Sequence, residues 1–267
     1  MTFDQFYAIP GEKPLDNLIN DGGFCGIFRT IGCIGDSLAS GEFETLDNGI
    51  KGYHDFYEYS WGQYMARTIG NTVYNFSRGG MSAKWFCDSF ANECGVYKRE
   101  NLCQAYIIAL GVNDVSSGAP IGDINAITPY EQRANGDESI LAYYAQIMRT
   151  LISKQPDAKL FLMTLPELPN LPVEKRTRRN ELNDGIRKLA EKTKNTYVLD
   201  FNKYAPPFDE KFQQTFMGGH MTAAGYLLIS KMVMSYMDYI IRHNHKDFAD
   251  AGLIGTPYYS ISVRKEK

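Results

Sequence analysis

The segment Ile31 to Glu42 reads I-G-C-I-G-D-S-L-A-S-G-E, and an apolar run ends within it on Gly35-Asp36-Ser37-Leu38. The apolar part, Ile27 to Ile34, has the length and β-branched content of a buried strand. Ser37 is therefore predicted to lie at the tip of a strand, where a helix N-terminus would favour a developing oxyanion. Serine is also a common N-cap, so this stretch alone leaves Ser37 open as a cap or a nucleophile. Asp36 is expected to hold the turn by accepting backbone N–H groups.

Apolar and amphipathic stretches alternate along the rest of the chain. Short apolar runs at 71–76, 105–110, 159–164 and 196–199 predict strands. Segments with helical spacing at 59–68, 82–91, 137–154, 173–193 and 222–242 predict helices. This alternation is typical of a parallel sheet that is covered by helices on both faces. Gly41 to Tyr59, which is polar and punctuated by glycine, is instead predicted to be a long loop beside Ser37.

Two other polar segments follow predicted strands. Gly79-Gly80 comes after the second strand, just before a helix with a predicted N-cap at Ser82, and Gly111-Val112-Asn113-Asp114 comes after the third. Because the carboxyl ends of parallel strands lie at one edge of a sheet, we expect Ser37, Gly80 and Asn113 to cluster there. Asn and Asp are also common turn residues, so the third segment alone is equally typical of a plain turn.

An acyl-transfer site needs a nucleophile, a base, and hydrogen-bond donors for the oxyanion. Ser37 would supply the nucleophile, and the Gly80 N–H and the Asn113 side-chain amide would supply the donors. His220 lies just before the last predicted helix, whose N-cap is predicted at Thr222, and would supply the base.

The composition is that of an ordinary globular protein of one or two domains, since 44% of the 267 residues are hydrophobic and 22% are charged. The formal net charge of -3 and the lack of Lys/Arg-rich runs argue against nucleic acid as a partner. No run of about 18 apolar residues indicates a membrane span, and the first residues do not resemble a secretory leader. We therefore expect a soluble, cytoplasmic protein that does not bind membranes.

The cysteines and histidines do not predict a metal site. The five cysteines include no C-x-x-C pair, and their odd number favours buried free thiols in a reducing compartment. The four histidines lack metal-ligand spacing with cysteines or carboxylates. The expected chemistry needs neither a metal ion nor an organic cofactor.

Taken in order, four segments resemble the sequence blocks of the SGNH, or GDSL-type, hydrolases: Gly35-Asp36-Ser37-Leu38, Gly80, Gly111-Val112-Asn113-Asp114 and His220. The resemblance extends from residue 28 to about residue 240. It implies a flavodoxin-like three-layer αβα sandwich with a five-stranded parallel sheet. It also implies hydrolysis of an ester, often an O-acetyl group on a carbohydrate, with Ser37, Gly80, Asn113 and His220 as the catalytic residues.

The resemblance also suggests how the chain is organised. Residues 28–243 are expected to form the hydrolase domain, residues 1–27 an irregular lead-in, and residues 244–267 a C-terminal extension packed on the same domain. Pro257 to Val263, within the extension, is open to two interpretations: an edge strand, or a contact between copies of the chain in a homo-oligomer.

The fourth block departs from the family pattern. Members usually carry an aspartate three residues before the histidine, and this chain has Met217 there. Because that carboxylate orients the imidazole, three replacements are open: a backbone carbonyl near Met217 or Gly218, another carboxylate such as Asp209 or Glu210, or none. We favour the carbonyl, because this chain is similar to relatives with a Ser-His dyad and because Gly218-Gly219 gives the backbone freedom to turn.

Aromatic residues near the first two blocks are candidates for substrate binding. Flat rings with polar tips suit the faces of sugars, and Tyr53, Trp61 and Trp85 are the residues selected on this basis. Trp61 and Trp85 lie at helical positions, so packing in the core is the alternative for both. The expected substrate is a small ester, an acetylated saccharide. Two alternatives remain open: a lipid-directed hydrolase or acyltransferase on the same fold, and a catalytically weak carbohydrate-binding module.

Overall fold

A five-stranded parallel sheet forms the centre of residues 7–262, the part of the chain that this computed structural model describes. The strands are β1 (Thr30–Gly35), β2 (Glu42–Asp47), β3 (Ile50–Asp55), β4 (Thr72–Ser77), β5 (Ala105–Ala109), β6 (Lys159–Met163), β7 (Thr196–Leu199), β8 (Met217–Gly218) and β9 (His220–Met221). The central sheet has the order β4-β1-β5-β6-β7, and β2–β3 and β8–β9 form separate antiparallel pairs. This strand order is the flavodoxin-like one.

Helices connect the strands of the central sheet. They are α1 (Ser37–Ser40), α2 (Trp61–Ile69), α3 (Ala83–Trp85), α4 (Ala91–Glu93), α5 (Val112–Ser116), α6 (Ile140–Lys154), α7 (Val173–Glu191), α8 (Phe201–Tyr204), α9 (Glu210–Phe216), α10 (Ala223–His243) and α11 (His245–Phe248). A π-helical turn, Phe86–Phe90, joins α3 to α4. None of the helices within residues 7–262 combines the length and hydrophobicity that crossing a membrane requires.

The core has two parts, one on each face of the sheet. Side chains of α3, α6 and α7 pack on one face, and side chains of α2, α10 and α11 pack on the other. Helices cover both faces of the central strand β5, so its side chains are buried on both sides. Its sequence, A-Y-I-I-A, is accordingly apolar except for one tyrosine hydroxyl. The three-layer αβα sandwich predicted from the sequence is therefore confirmed.

The prediction of a long loop over Gly41 to Tyr59 is wrong. Most of this segment is a β-hairpin, in which Glu42–Asp47 pairs with Ile50–Asp55. Its two-residue turn is Asn48-Gly49, and both residues have positive φ angles of 50° and 81°. Such a turn matches the twist of the two strands and is typical of short hairpins.

The predicted N-caps agree with the structure. The Ser82 hydroxyl accepts a hydrogen bond from the Trp85 N–H, and the Thr222 hydroxyl accepts one from the Gly225 N–H. The sequence patterns did not reveal α9 or the short β8–β9 pair, which together lead the chain to His220.

The C-terminal segment packs on the amino end of the sheet. The buried side chain of Gln104 donates hydrogen bonds to the carbonyls of Gly252 (2.8 Å) and Ile254 (3.1 Å) and accepts one from the Arg29 N–H (2.6 Å). From residue 257 to residue 262 the chain forms a 3₁₀ turn, Tyr259–Ile261, and not an edge strand. Val263, the end of the segment considered above, and residues 1–6 of the lead-in lie outside the described residues.

We predict that Gln104→Ala lowers the free energy of unfolding by about 2 to 3 kcal/mol, because it leaves buried backbone groups without partners. Urea denaturation measures this change, and hydrogen exchange should show faster exchange in residues 250–262. The exposed Gln214→Ala variant is the matched control and should unfold like wild type. Equal stability of the two variants would contradict this role of Gln104.

Candidate active site

Three strands of the central sheet end at the same level. Gly35, the last residue of β1, is the Cα partner of Ser77 in β4 and of Ala109 in β5. Neighbouring strands lie about 4.8 Å apart, so the segments that follow these residues start close together. This register places Ser37, Gly80 and Asn113 at one edge of the sheet, as the sequence analysis predicts.

Ser37 is the first residue of α1, but it is not the helix cap. Asp36 is the N-cap, and its carboxylate accepts a hydrogen bond from the Leu38 N–H at 3.0 Å. The Ser37 hydroxyl makes no hydrogen bond within residues 7–262, so capping does not occupy it. The Tyr226 hydroxyl of α10 lies 3.2 Å from the Ser37 carbonyl oxygen and 2.6 Å from that of Glu42.

Hydrogen bonds join the second and third segments of the site. The Asn113 side-chain amide donates to the carbonyl of Met81 at 3.0 Å, next to Gly80. The Asp114 carboxylate accepts the Ala83 N–H with both oxygens, at 3.0 and 3.1 Å. These contacts hold Asn113 against the turn that contains Gly80.

Two buried carboxyl groups lie behind this edge of the sheet. Burial raises the pKa of Asp36 to about 7, since the Leu38 N–H offsets only part of the lost hydration. Burial likewise raises the pKa of Asp114 to about 6, although backbone N–H groups bind its charged form. The second oxygen of Asp36, Oδ2, has no hydrogen-bond partner in the described part of the chain.

His220 lies in β9, two residues before the cap of α10. Its Nε2 atom is 3.0 Å from Oε1 of Glu42, and its Nδ1 atom is 3.6 Å from Oε2 of Glu44. The strand β9 packs against α1, which brings His220 to the end of the sheet that carries Ser37. Among the described residues, Nε2 of the imidazole faces the Glu42 carboxylate, however, and makes no hydrogen bond to the Ser37 hydroxyl.

The residues considered as orienting groups for His220 have other contacts. Met217 and Gly218 form β8, in which Gly218 is the backbone partner of His220. The Asp209 carboxylate caps α9 by accepting the Phe212 N–H at 2.9 Å. Within residues 7–262, Nδ1 of His220 has no hydrogen-bond partner, so no carbonyl of β8 binds it.

Glu42 and Glu44 were not found from the sequence, although a signal is present. In G-E-F-E, the two glutamates are separated by one residue, and alternate residues of a strand point to the same face. This signal requires that the segment be recognised as a strand, and it was predicted to be a loop.

The three aromatic candidates lie in two different environments. Tyr53 is 54% exposed, and its ring meets the His220 ring edge-on at 5.7 Å. Trp85 is 41% exposed and lies beside Gly80, 3.9 Å from the position of a Cβ there. Trp61 is only 2% exposed and belongs to the same core cluster as Ala39 of α1. The prediction that its ring binds substrate is therefore wrong, because a buried ring cannot stack on a sugar.

Cysteine and acidic side chains are the other groups that could carry chemistry. Within residues 7–262, no three His, Cys, Asp or Glu side chains are grouped so that they could bind a metal ion. Burial raises the pKa of the Cys87 and Cys103 thiols to about 12, which leaves them protonated and poorly nucleophilic.

Comparison with known proteins identifies the class that this fold and site define. Residues 33–228 match the GDSL-like Lipase/Acylhydrolase family, and the chain belongs to this family of ester hydrolases. A comparison with curated proteins gives no match.

Solved structures of low sequence identity share the fold. A family two carbohydrate esterase from Clostridium thermocellum, in complex with cellohexaose, is 15% identical with a TM-score of 0.57, and the match covers 82% of this chain and 65% of that one. A carbohydrate esterase family 2 enzyme with a carbohydrate-binding domain, from Myceliophthora fergusii, is 15% identical with a TM-score of 0.52, covering 84% and 67%. This chain therefore spans about two thirds of each of those proteins.

We predict that Asp36→Asn changes how stability depends on pH. Because burial raises the pKa of Asp36 from 3.8 to about 7, the folded state holds its proton more tightly than the unfolded chain does. The wild type therefore loses stability through this group as pH rises from about 4 to 7, by up to about 4 kcal/mol at about 1.4 kcal/mol per pKa unit.

Urea denaturation of both proteins from pH 4 to 8 measures the difference. Asp36→Asn should gain stability relative to wild type as pH rises, because asparagine keeps the acceptor for Leu38 without the buried charge. Asp123→Asn, on an exposed loop, is the control and should track wild type. Parallel stability curves for wild type and Asp36→Asn would contradict the prediction.

Proposed function

We propose that this protein is a serine esterase that removes short acyl groups, above all acetyl groups, from carbohydrates. The observation that carries the proposal is the common level at which β1, β4 and β5 end, with Ser37, Gly80 and Asn113 on the loops that follow. Membership of the GDSL-like family supports ester hydrolysis as the reaction class.

In the proposed mechanism, His220 accepts the hydroxyl proton of Ser37 while Oγ forms a bond to the ester carbonyl carbon. The electron pair of the carbonyl moves to its oxygen, which the N–H groups of Ser37 and Gly80 and the side-chain amide of Asn113 stabilise. Collapse of this intermediate breaks the ester C–O bond, and the imidazolium returns its proton to the leaving alcohol. Water then attacks the acyl-enzyme by the same sequence and releases the carboxylic acid.

The carbohydrate part of the proposal depends on two exposed rings. Tyr53 lies beside His220 and Trp85 lies beside Gly80, so the rings flank the groups that would carry out the reaction. Aromatic rings of this kind offer an apolar face to a sugar. The Clostridium thermocellum esterase of the same fold was solved with cellohexaose, which supports a saccharide ligand.

We predict that Ser37→Ala abolishes hydrolysis of p-nitrophenyl acetate and that Asn113→Ala lowers kcat on the order of 10²-fold, because it removes an oxyanion donor. Steady-state kinetics measure both effects. Asn125→Ala, an exposed asparagine in the loop before α6, should keep wild-type kcat. Hydrolysis that persists in Ser37→Ala would contradict the proposal.

We predict that Trp85→Ala raises KM for an acetylated oligosaccharide by about tenfold, since a stacked ring contributes roughly 0.5–1.5 kcal/mol beyond its buried area. Hydrolysis of p-nitrophenyl acetate, which lacks the sugar, should change much less. Tyr258→Ala removes an exposed ring from the C-terminal segment and serves as the control. Equal effects of Trp85→Ala on both substrates would contradict a role in sugar binding.

A further inference from the structure

His220 faces two glutamates that come from a single strand. Glu42 and Glu44 lie on one face of β2, and Phe43 lies on the other. The Phe43 ring packs edge-on against Tyr59 at 5.7 Å and Tyr226 at 5.6 Å. Because Phe43 is fixed in this aromatic cluster, its two neighbours are held towards the imidazole.

The arrangement of oxygens around the ring fits one protonation state of the imidazole. Glu42 is 3.0 Å from Nε2 and Glu44 is 3.6 Å from Nδ1, so each nitrogen faces a carboxylate oxygen. A neutral imidazole has one N–H, which leaves the other nitrogen lone pair facing an oxygen. An imidazolium has two N–H groups, and both then point towards an acceptor. The surroundings are therefore complementary to the imidazolium.

Both glutamates are held in place by further contacts. Oε1 of Glu44 pairs with the Lys51 ammonium at 2.5 Å, and this hydrogen bond keeps the pKa of Glu44 below its usual value. The carbonyl of Glu42 accepts the Tyr226 hydroxyl at 2.6 Å. A Cβ at Gly79 would collide with Oε2 of Glu42, and one at Gly219 would collide with Oε2 of Glu44, so glycine at both positions leaves room for the carboxylates.

We propose that Glu42 and Glu44 together take the place of the aspartate that family members carry three residues before the histidine. They act as positioning residues: they hold the His220 ring and stabilise the imidazolium that forms when the ring accepts the proton of Ser37. This inference rests on the proposed function, since it assigns residues to the base of that same reaction.

The two glutamates have different tasks in this scheme. Glu44 faces Nδ1, the nitrogen that the Asp of a Ser-His-Asp triad would bind, and its negative charge stabilises an N–H group on that side of the ring. In the neutral ring with its proton on Nδ1, Nε2 carries no proton and can accept the one from Ser37. The new Nε2–H bonds to Glu42, which holds the proton near the site until the leaving alcohol takes it.

The test measures p-nitrophenyl acetate hydrolysis by Glu42→Gln and Glu44→Gln. Each variant should lower kcat on the order of 10²-fold or more with little change in KM, because glutamine keeps the shape and loses the charge. Glu44→Asp should recover part of the loss. Glu58→Gln, exposed beside the hairpin, and Asp209→Asn, the cap of α9, are the controls and should keep wild-type kcat. Thermal unfolding confirms that each variant is folded.

The pH dependence of kcat/KM separates this role from a purely structural one. The groups around the imidazole are Glu42 and Glu44 from β2 and Tyr53 from β3. Lys51, His54 and Asp55, all from β3, lie next to the glutamates. Loss of either carboxylate disfavours the imidazolium, so the acid limb of the profile should move to lower pH in both Gln variants. The limb should stay in place in Glu58→Gln.

The outcomes distinguish the two proposals. If both Gln variants keep wild-type kcat and an unmoved acid limb while Ser37→Ala is inactive, the assignment of the glutamates is wrong and the esterase function stands. If wild type shows no activity above Ser37→Ala, the esterase function fails, and the assignment fails with it. A loss of kcat of similar size in Asp209→Asn would assign the orienting role to that carboxylate.

Discussion

Parallel pairing in one register determines where the candidate residues lie. Gly35 pairs with Ser77 on one side and with Ala109 on the other, so three loops start at the same level of the sheet. A shift of one residue in either pairing would turn the side chains of a strand to the opposite face and displace the loop after it. The buried, apolar faces of β1 and β5 oppose such a shift, and packing in the core thereby fixes the geometry of the site.

The same edge of the sheet contains carboxyl groups that are costly to bury. Asp36 and Asp114 lie in the core side of the site, where burial raises the pKa of both, and Glu42 lies at its outer side next to His220. Asp114 offsets part of the cost of its burial by accepting the Ala83 N–H at the start of α3, which links the second and third segments. Asp36 caps α1 with one oxygen and leaves the other without a partner among the described residues. Buried carboxyl groups whose pKa values are shifted in this way are typical of functional sites.

Local patterns in the sequence predict most of the sheet and the position of Ser37, Gly80 and Asn113 at one edge of it. Buried parallel strands are continuous apolar runs, which a short stretch of sequence shows directly. The Ser82 and Thr222 caps accept hydrogen bonds from N–H groups three residues away, so they too can be recognised from a few neighbouring residues. The hairpin was missed because its strands are polar on one face and are stabilised by Tyr226, which is distant in sequence. Trp61 was misassigned for a related reason: exposure depends on the helix face that the sheet covers, which a short window does not specify. To find Glu42 and Glu44 from the sequence, one would have to recognise the hairpin and also know which face of β2 lies towards His220.

The proposed mechanism requires that Ser37 become acylated, with His220 as its base. Rapid quenching of wild type during turnover of an acetyl ester, followed by mass spectrometry of the proteolytic peptides, is a direct test. We expect an acetyl group on the peptide that contains Ser37, present during turnover and absent once the substrate is consumed. Turnover without acetylated Ser37, or with the acetyl group on another residue, would contradict it.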